Sequence, residues 1–142
     1  MRLVIDASAL LKAYFPDEHG TENAKEIIFR YSLGDLELSA PSLMDYEISN
    51  AVFTAYKRKR VPFNDARNIL EKILGLDIKR HDFHSFKNEL LDLGKKYNLS
   101  VYDASYLALA LRLNADMVTG DEKLAKAVKG KAPRVILVRD FH

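Results

Sequence analysis

Apolar positions along this chain fall into short runs of β-formers separated by longer stretches of helical spacing. Leu3 to Ile5 lie between Arg2 and Asp6, which predicts a short central strand buried on both faces. Ser8 is placed to cap a helix running toward Tyr14, ended by Pro16. A loop from Asp17 to Thr21 then leads to a second helix over Glu22 to Leu33, closed by Gly34. A second strand is predicted at Leu36 to Ala40. Pro41 and Ser42 open a long helix through Tyr56, with Met44, Ile48, Ala51, Val52 and Ala55 recurring on one face. After Pro62, Asn64 or Asp65 starts a helix that ends at Gly75, followed by a third strand at Leu76 to Lys79 and a helix over Phe83 to Tyr97. Ser100 and Asp103 have the spacing of a capping box, so Val101 to Leu113 is expected to be a helix with a defined start. Tyr106, Leu107, Leu109 and Leu111 make it apolar on nearly every side, which requires cover from the sheet and neighbouring helices or from a partner subunit. Met117 to Thr119 predicts a fourth strand, Asp121 to Val128 a short helix, and Val135 to Val138 a fifth strand.

Short strands alternating with helices imply an α/β fold with a largely parallel sheet covered on both faces. The length of 142 residues suits a single domain over 1–142, with a core of its own. With 22 basic and 20 acidic residues the formal charge is only +2, so net charge does not point to nucleic acid. The chain has no cysteine, which excludes disulfides, thiolate metal sites and cysteine nucleophiles and suits a cytoplasmic protein. Asp6 interrupts the apolar start too early for a signal peptide, and the run Ala104 to Leu111 is too short to span a bilayer.

Four acids draw attention because each follows or sits inside an apolar segment, where a carboxylate is costly unless paired or bound to a cation. Asp6 and Asp121 follow the first and fourth strands, at the carboxyl edge where open parallel sheets place their ligands. Asp103 lies in the first turn of the helix leading into the fourth strand, and Glu47 borders the buried stripe of its helix beside Ile48. Each has a plain structural alternative. Asp6 can make an Asx turn, Asp103 can serve its capping box, Asp121 can cap the helix it precedes, and Glu47 can lie at the edge of an amphipathic helix. Taken together, four acids at one edge and no histidine match the oxygen-rich donor set that magnesium or manganese prefers. Thr119 and Ser8 are neutral oxygens on the same edge, suited to orienting a carboxylate or a water, although Ser8 serves equally well as a helix cap.

The stretch Ile5-Asp6-Ala7-Ser8-Ala9-Leu10-Leu11, Glu47 in its helix, the run Val101-Tyr102-Asp103-Ala104-Ser105-Tyr106-Leu107-Ala108-Leu109-Ala110, and Val118-Thr119-Gly120-Asp121 resemble the PIN-domain family. Within it they are most similar to the VapC-type ribonucleases of prokaryotic toxin–antitoxin pairs, and the resemblance covers nearly the whole chain. It implies a three-layer α/β/α sandwich with a five-stranded parallel sheet in the order 3-2-1-4-5. It also implies cleavage of RNA phosphodiesters dependent on Mg2+ or Mn2+, leaving a 5′ phosphate and a 3′ hydroxyl. Asp6, Glu47, Asp103 and Asp121 stand as the acidic quartet. The first, third and fourth would hold one or two ions that activate water, with Glu47 binding a second ion or orienting water. A twofold homodimer and, for a toxin, a small antitoxin protein complete the implied partners.

Lys57-Arg58-Lys59-Arg60 is the densest basic run, read either as a solvated helix terminus or as an RNA contact. Lys123 and Lys126 follow Asp121 and offer a phosphate track, and Lys12 on the first helix is another candidate to meet substrate phosphate. The four histidines are scattered, and none is assigned to metal. Rival functions are a non-toxin PIN protein in RNA processing, an RNA-binding module without turnover, and a purely structural protein whose four acids would be dispersed. A haloacid-dehalogenase-like phosphatase is disfavoured because Ser8 stands where a second aspartate is needed, and no glycine-rich phosphate loop is present.

Overall fold

The structure, a computed structural model, describes residues 1–15, 19–131 and 133–142. Five strands, β1 (Arg2–Ile5), β2 (Glu37–Pro41), β3 (Lys79–His81), β4 (Asp116–Thr119) and β5 (Val135–Leu137), form one sheet in the order β3-β2-β1-β4-β5, every pairing parallel. Helices α1 (Ala7–Leu11), α2 (Thr21–Ser32), α3 (Met44–Lys57), α4 (Phe63–Leu74), α5 (Leu90–Tyr97), α6 (Val101–Leu113) and α7 (Glu122–Ala127) complete the α/β/α arrangement. The strand order matches what the family resemblance implies.

β1 lies at the centre because Leu3, Val4 and Ile5 have no solvent exposure and therefore need cover on both faces. It pairs with β2 on one side and β4 on the other, with Val4 opposite Met117 and Ile5 opposite Val118. The chain runs outward from β1 through β2 to β3 and then crosses back to β4 on the other side of β1, so the junction between β1 and β4 is a topological switch where a cleft opens beyond the strand ends. The ladder continues one residue further, as the Asp6 N–H donates to the Val118 carbonyl at 3.1 Å. Asp6 is thereby fixed beside the end of β4.

α6 begins where the capping box predicts. Ser100 is its N-cap and accepts the Asp103 N–H at 3.1 Å, a cap worth about 1 kcal/mol. Its residues Ala104 to Ala110 are all buried, against α5 and strands β1, β2 and β4, so the cover for Tyr106, Leu107 and Leu109 comes from within the chain, whereas Leu111 stays exposed. Asn114, with φ 51°, ends the helix in the left-handed region.

Several predicted boundaries are corrected. Asp6, not Ser8, is the N-cap of α1, and that helix stops at Leu11 with turns through Tyr14; Pro16 lies outside the described residues. Pro41 ends β2 and the long helix starts later, at Met44. β3 lies at Lys79–His81, since Leu76 and Asp77 continue the turn closing α4 and Asp77 takes a positive φ of 55°. The predicted helix over Phe83 to Tyr97 is broken: two short 3-10 turns precede α5, with Phe86 leaving helical geometry at φ −142° to insert its ring into the core.

Candidate active site

Asp6, Ala7, Ser8, Glu47, Asp103, Tyr106 and Asp121 line one small cleft of about 70 Å3 at the carboxyl edge of β1 and β4. Four elements deliver the acids. Asp6 comes from the end of β1, Glu47 from the first turn of α3, Asp103 from the first turn of α6, and Asp121 from the loop that caps α7. The structure therefore brings together all four acids singled out in the sequence, and the dispersal expected of a purely structural protein is not observed.

Asp6 is the most constrained of them, at 6% exposure. Its Oδ1 accepts from the Ser8 hydroxyl at 2.6 Å and from the Ala9 N–H at 2.9 Å, and its Oδ2 accepts from the Thr119 hydroxyl. Both hydroxyls are in turn held by the loop after β4. Ser8 Oγ accepts the Gly120 N–H at 2.8 Å, and Thr119 Oγ1 accepts the Asp121 N–H at 3.0 Å. Two parallel relays thus run from the β4–α7 loop through a hydroxyl to each oxygen of Asp6. A hydroxyl suits this place because it donates and accepts at one atom.

Gly120 is required by close approach. A Cβ there would stand 2.6 Å from Lys12 Cε and 3.2 Å from the carbonyl group of Ser8. The Asp121 side chain turns back on its own helix, its Oδ1 accepting the N–H groups of Lys123 at 2.9 Å and Leu124 at 3.2 Å. The N-cap alternative for Asp121 is thus realised, and the residue lines the cleft as well. Asp103 likewise serves both as the third residue of a capped helix and as part of the cleft wall.

The electrostatics follow from burial and mutual repulsion. Burial pushes the Asp6 carboxyl above the ordinary aspartate range; hydrogen bonds from Ser8, Thr119 and Ala9 pull it back, and Asp103 adds to the rise. Glu47 is raised by burial and by the charges of Asp6 and Asp103, against the hydrogen bond it accepts from Tyr106. Asp103 is raised by burial and by Asp121, with the Ser100 cap opposing. The acids therefore load one another with negative charge, which a cation relieves.

The donor set is all oxygen and carries no histidine or cysteine, which fits a hard divalent cation. Among the described residues, no three acids or histidines are already drawn close enough together to hold an ion. The fit thus lies in donor type, charge and a shared cleft rather than in a closed coordination shell.

Tyr106 lines the cleft and its hydroxyl donates to Glu47 Oε1 at 2.6 Å, a role the sequence reading did not assign. A signal was present: Tyr106 stands three residues after Asp103 on the same helix face, a phenol in a run of alanine and leucine. The basic candidates lie outside the acidic cleft. Lys12 lays its stem over Gly120 and lines an adjoining hollow with His19, Glu122 and Arg139. Lys126 borders a separate hollow beside β5, and Lys123 is exposed on the first turn of α7. Lys57 and Arg58 are exposed at the end of α3, with the Lys57 ammonium 5.1 Å from the centre of the Phe53 ring.

Residues 3–130 match the model of the PIN domain family. Ribonuclease VapC3 of Pyrobaculum aerophilum is 30% identical over 128 residues, which are 89% of this chain and 94% of that protein. Among solved structures, PAE2754 from Pyrobaculum aerophilum superimposes with a TM-score of 0.66 at 26% identity, covering 97% of this chain and 84% of that one. A toxin–antitoxin complex from Klebsiella pneumoniae shares the fold, with a TM-score of 0.59 at 17% identity over 96% of this chain and 97% of that one.

Proposed function

The chain belongs to the PIN-domain family, in its VapC-type ribonuclease branch, and we propose that it is a divalent-metal-dependent endoribonuclease acting as the toxin of a toxin–antitoxin pair. The observation that carries this reading is the convergence of Asp6, Glu47, Asp103 and Asp121 on one cleft at the sheet switch. Asp6, Asp103 and Asp121 would hold Mg2+ or Mn2+, and Glu47 would bind a second ion or orient water in the outer shell. Such an ion supplies polarisation of a phosphoryl oxygen and a lowered pKa for water. The chain's own residues supply order. Ser8 and Thr119 pin both oxygens of Asp6, so this carboxylate enters the reaction without rotating. Glu47 Oε2, opposite the oxygen engaged by Tyr106, is the group that orients or takes a proton from the attacking water. Lys12, Lys123 and Lys126, with Lys57 and Arg58 further off, meet the phosphates that flank the cleft.

A small antitoxin protein and a second copy of this chain are the proposed partners. The toxin–antitoxin nature of one structural neighbour supports the first of these. A cytoplasmic location follows from the RNA substrate, and among the described residues no helix is long and apolar enough to cross a membrane. The decisive experiment incubates purified protein with RNA in Mn2+, in Mg2+ and in chelator, alongside Asp6→Asn. Cleavage by the wild type with metal alone, leaving 5′ phosphates, is expected. Full cleavage by a well-folded Asp6→Asn protein overturns the assignment.

A further inference from the structure

Tyr106 is 2% exposed, yet it carries a hydroxyl into a helix segment otherwise built of alanine, leucine and one serine. Phenylalanine would fill nearly the same volume without burying a polar atom, so the hydroxyl needs an explanation of its own. Its surroundings provide one. The phenol donates to Glu47 Oε1 at 2.6 Å, a contact between residues 59 apart in the chain. A carboxylate oxygen accepts, so the phenolic proton goes to Glu47. That bond ties α3, which carries Glu47, to α6, which carries Asp103.

The other acids are anchored differently. Asp6 has three donors of its own, and Asp121 is held by the backbone of α7. Glu47 is a long, half-buried side chain whose rotamer freedom is lost only if something holds it. The hydrogen bond described for it is the one from Tyr106.

We propose that Tyr106 is a positioning residue, whose hydroxyl holds Glu47 in the acidic cleft in the orientation that favours binding of the divalent cation. This rests on the reading of the cleft as a cation site. Loss of such an outer partner lowers metal affinity by about 10- to 100-fold.

The test is Mn2+ binding by titration calorimetry to the wild type, Tyr106→Phe, Glu47→Gln and the double variant, each checked for folding by thermal unfolding. Tyr106→Phe should bind Mn2+ about 10-fold or more weakly, and the double variant no more weakly than Glu47→Gln, because Tyr106 acts through Glu47. Mn2+ affinity of folded Tyr106→Phe equal to wild type overturns the proposal, even where its melting temperature falls, since that pattern marks a packing role. Additive losses in the double variant overturn it too. If the wild type itself binds no Mn2+, the cation-site reading fails and takes the proposal with it. If it binds Mn2+ and Tyr106→Phe binds it equally well, the reading stands and the proposal alone falls. Should Tyr106→Phe not fold, wild-type protein carrying tyrosine isotopically labelled at Cζ is titrated with Mg2+. The Tyr106 resonance should shift in step with binding, and an unmoved resonance at saturation overturns the proposal.

Discussion

The Thr119 hydroxyl donates to Asp6 Oδ2 while accepting the Asp121 N–H at 3.0 Å, so one side chain links the end of β1 to the loop after β4. Thr119 has no solvent exposure, and both of its partners depend on it for a hydrogen bond. Thr119→Val keeps the shape and removes both bonds. It should destabilise the protein by about 1–3 kcal/mol, the cost of leaving buried polar groups unpaired. Thr119→Ser should retain most of the stability. Urea unfolding of the two variants checks this.

Asp6 gives a pH-dependent signature. Burial raises its carboxyl above the ordinary 3.8, so folding favours the protonated form. The stability it contributes is full below that unfolded value and is lost as pH rises through the folded one. With metal chelated, wild-type stability relative to Asp6→Asn should therefore fall as pH rises from 3.8 through the raised value. Denaturant midpoints of the pair across that range measure it, and a difference that grows in favour of the wild type contradicts the electrostatic account.

Metal should reverse the effect. A cation that binds the folded protein stabilises it by mass action, by about 2.7 kcal/mol at a concentration 100 times its dissociation constant. Adding Mn2+ or Mg2+ at neutral pH should raise the melting temperature of the wild type, and chelator should abolish both this gain and RNA cleavage. Asp6→Asn should show little of the thermal response.

Gly120 is tightly boxed, with Ser8 backbone at 3.2 Å from the place of a Cβ and the Lys12 stem closer still. The lysine can swing away, but the α1 backbone cannot. Gly120→Ala should cost about 1–3 kcal/mol through overpacking and should slow cleavage by shifting the Gly120 N–H from Ser8 Oγ. Thermal unfolding and initial rates on RNA test the two parts separately.

In the proposed function the basic residues outside the cleft serve substrate binding alone. Lys123→Ala and Lys126→Ala should each weaken RNA binding broadly across sequences and reduce the salt dependence of binding by about one phosphate contact. Filter binding by a cleavage-inactive Asp6→Asn background at several salt concentrations is the measurement. An unchanged slope removes them from the RNA path.

Local chemistry made much of this legible in advance. The apolar run Leu3–Ile5 marks a fully buried strand, and the Ser100–Asp103 spacing marks the start of α6, because both depend on residues adjacent in the chain. The four acids stood out for the same reason, each being a charge at the end of an apolar segment. Element boundaries after α4 were less legible. Asp77 closes a helical turn in a left-handed conformation, and Phe86 leaves helical geometry as its side chain enters the core, so β3 and α5 begin later than local pattern suggests.

By itself the sequence determined the kinds of element, their order, and which carboxylates were costly enough to need a partner. Tertiary structure decided the partnerships. Asp6 meets Thr119 across 113 residues, and Tyr106 meets Glu47 across 59. It also made Asp6 rather than Ser8 the cap of α1, freeing the Ser8 hydroxyl to join Asp6 to Gly120. Periodicity reports which face of an element is buried, whereas a hydrogen bond between elements depends on strand neighbours and helix placement, which only packing of the whole chain selects.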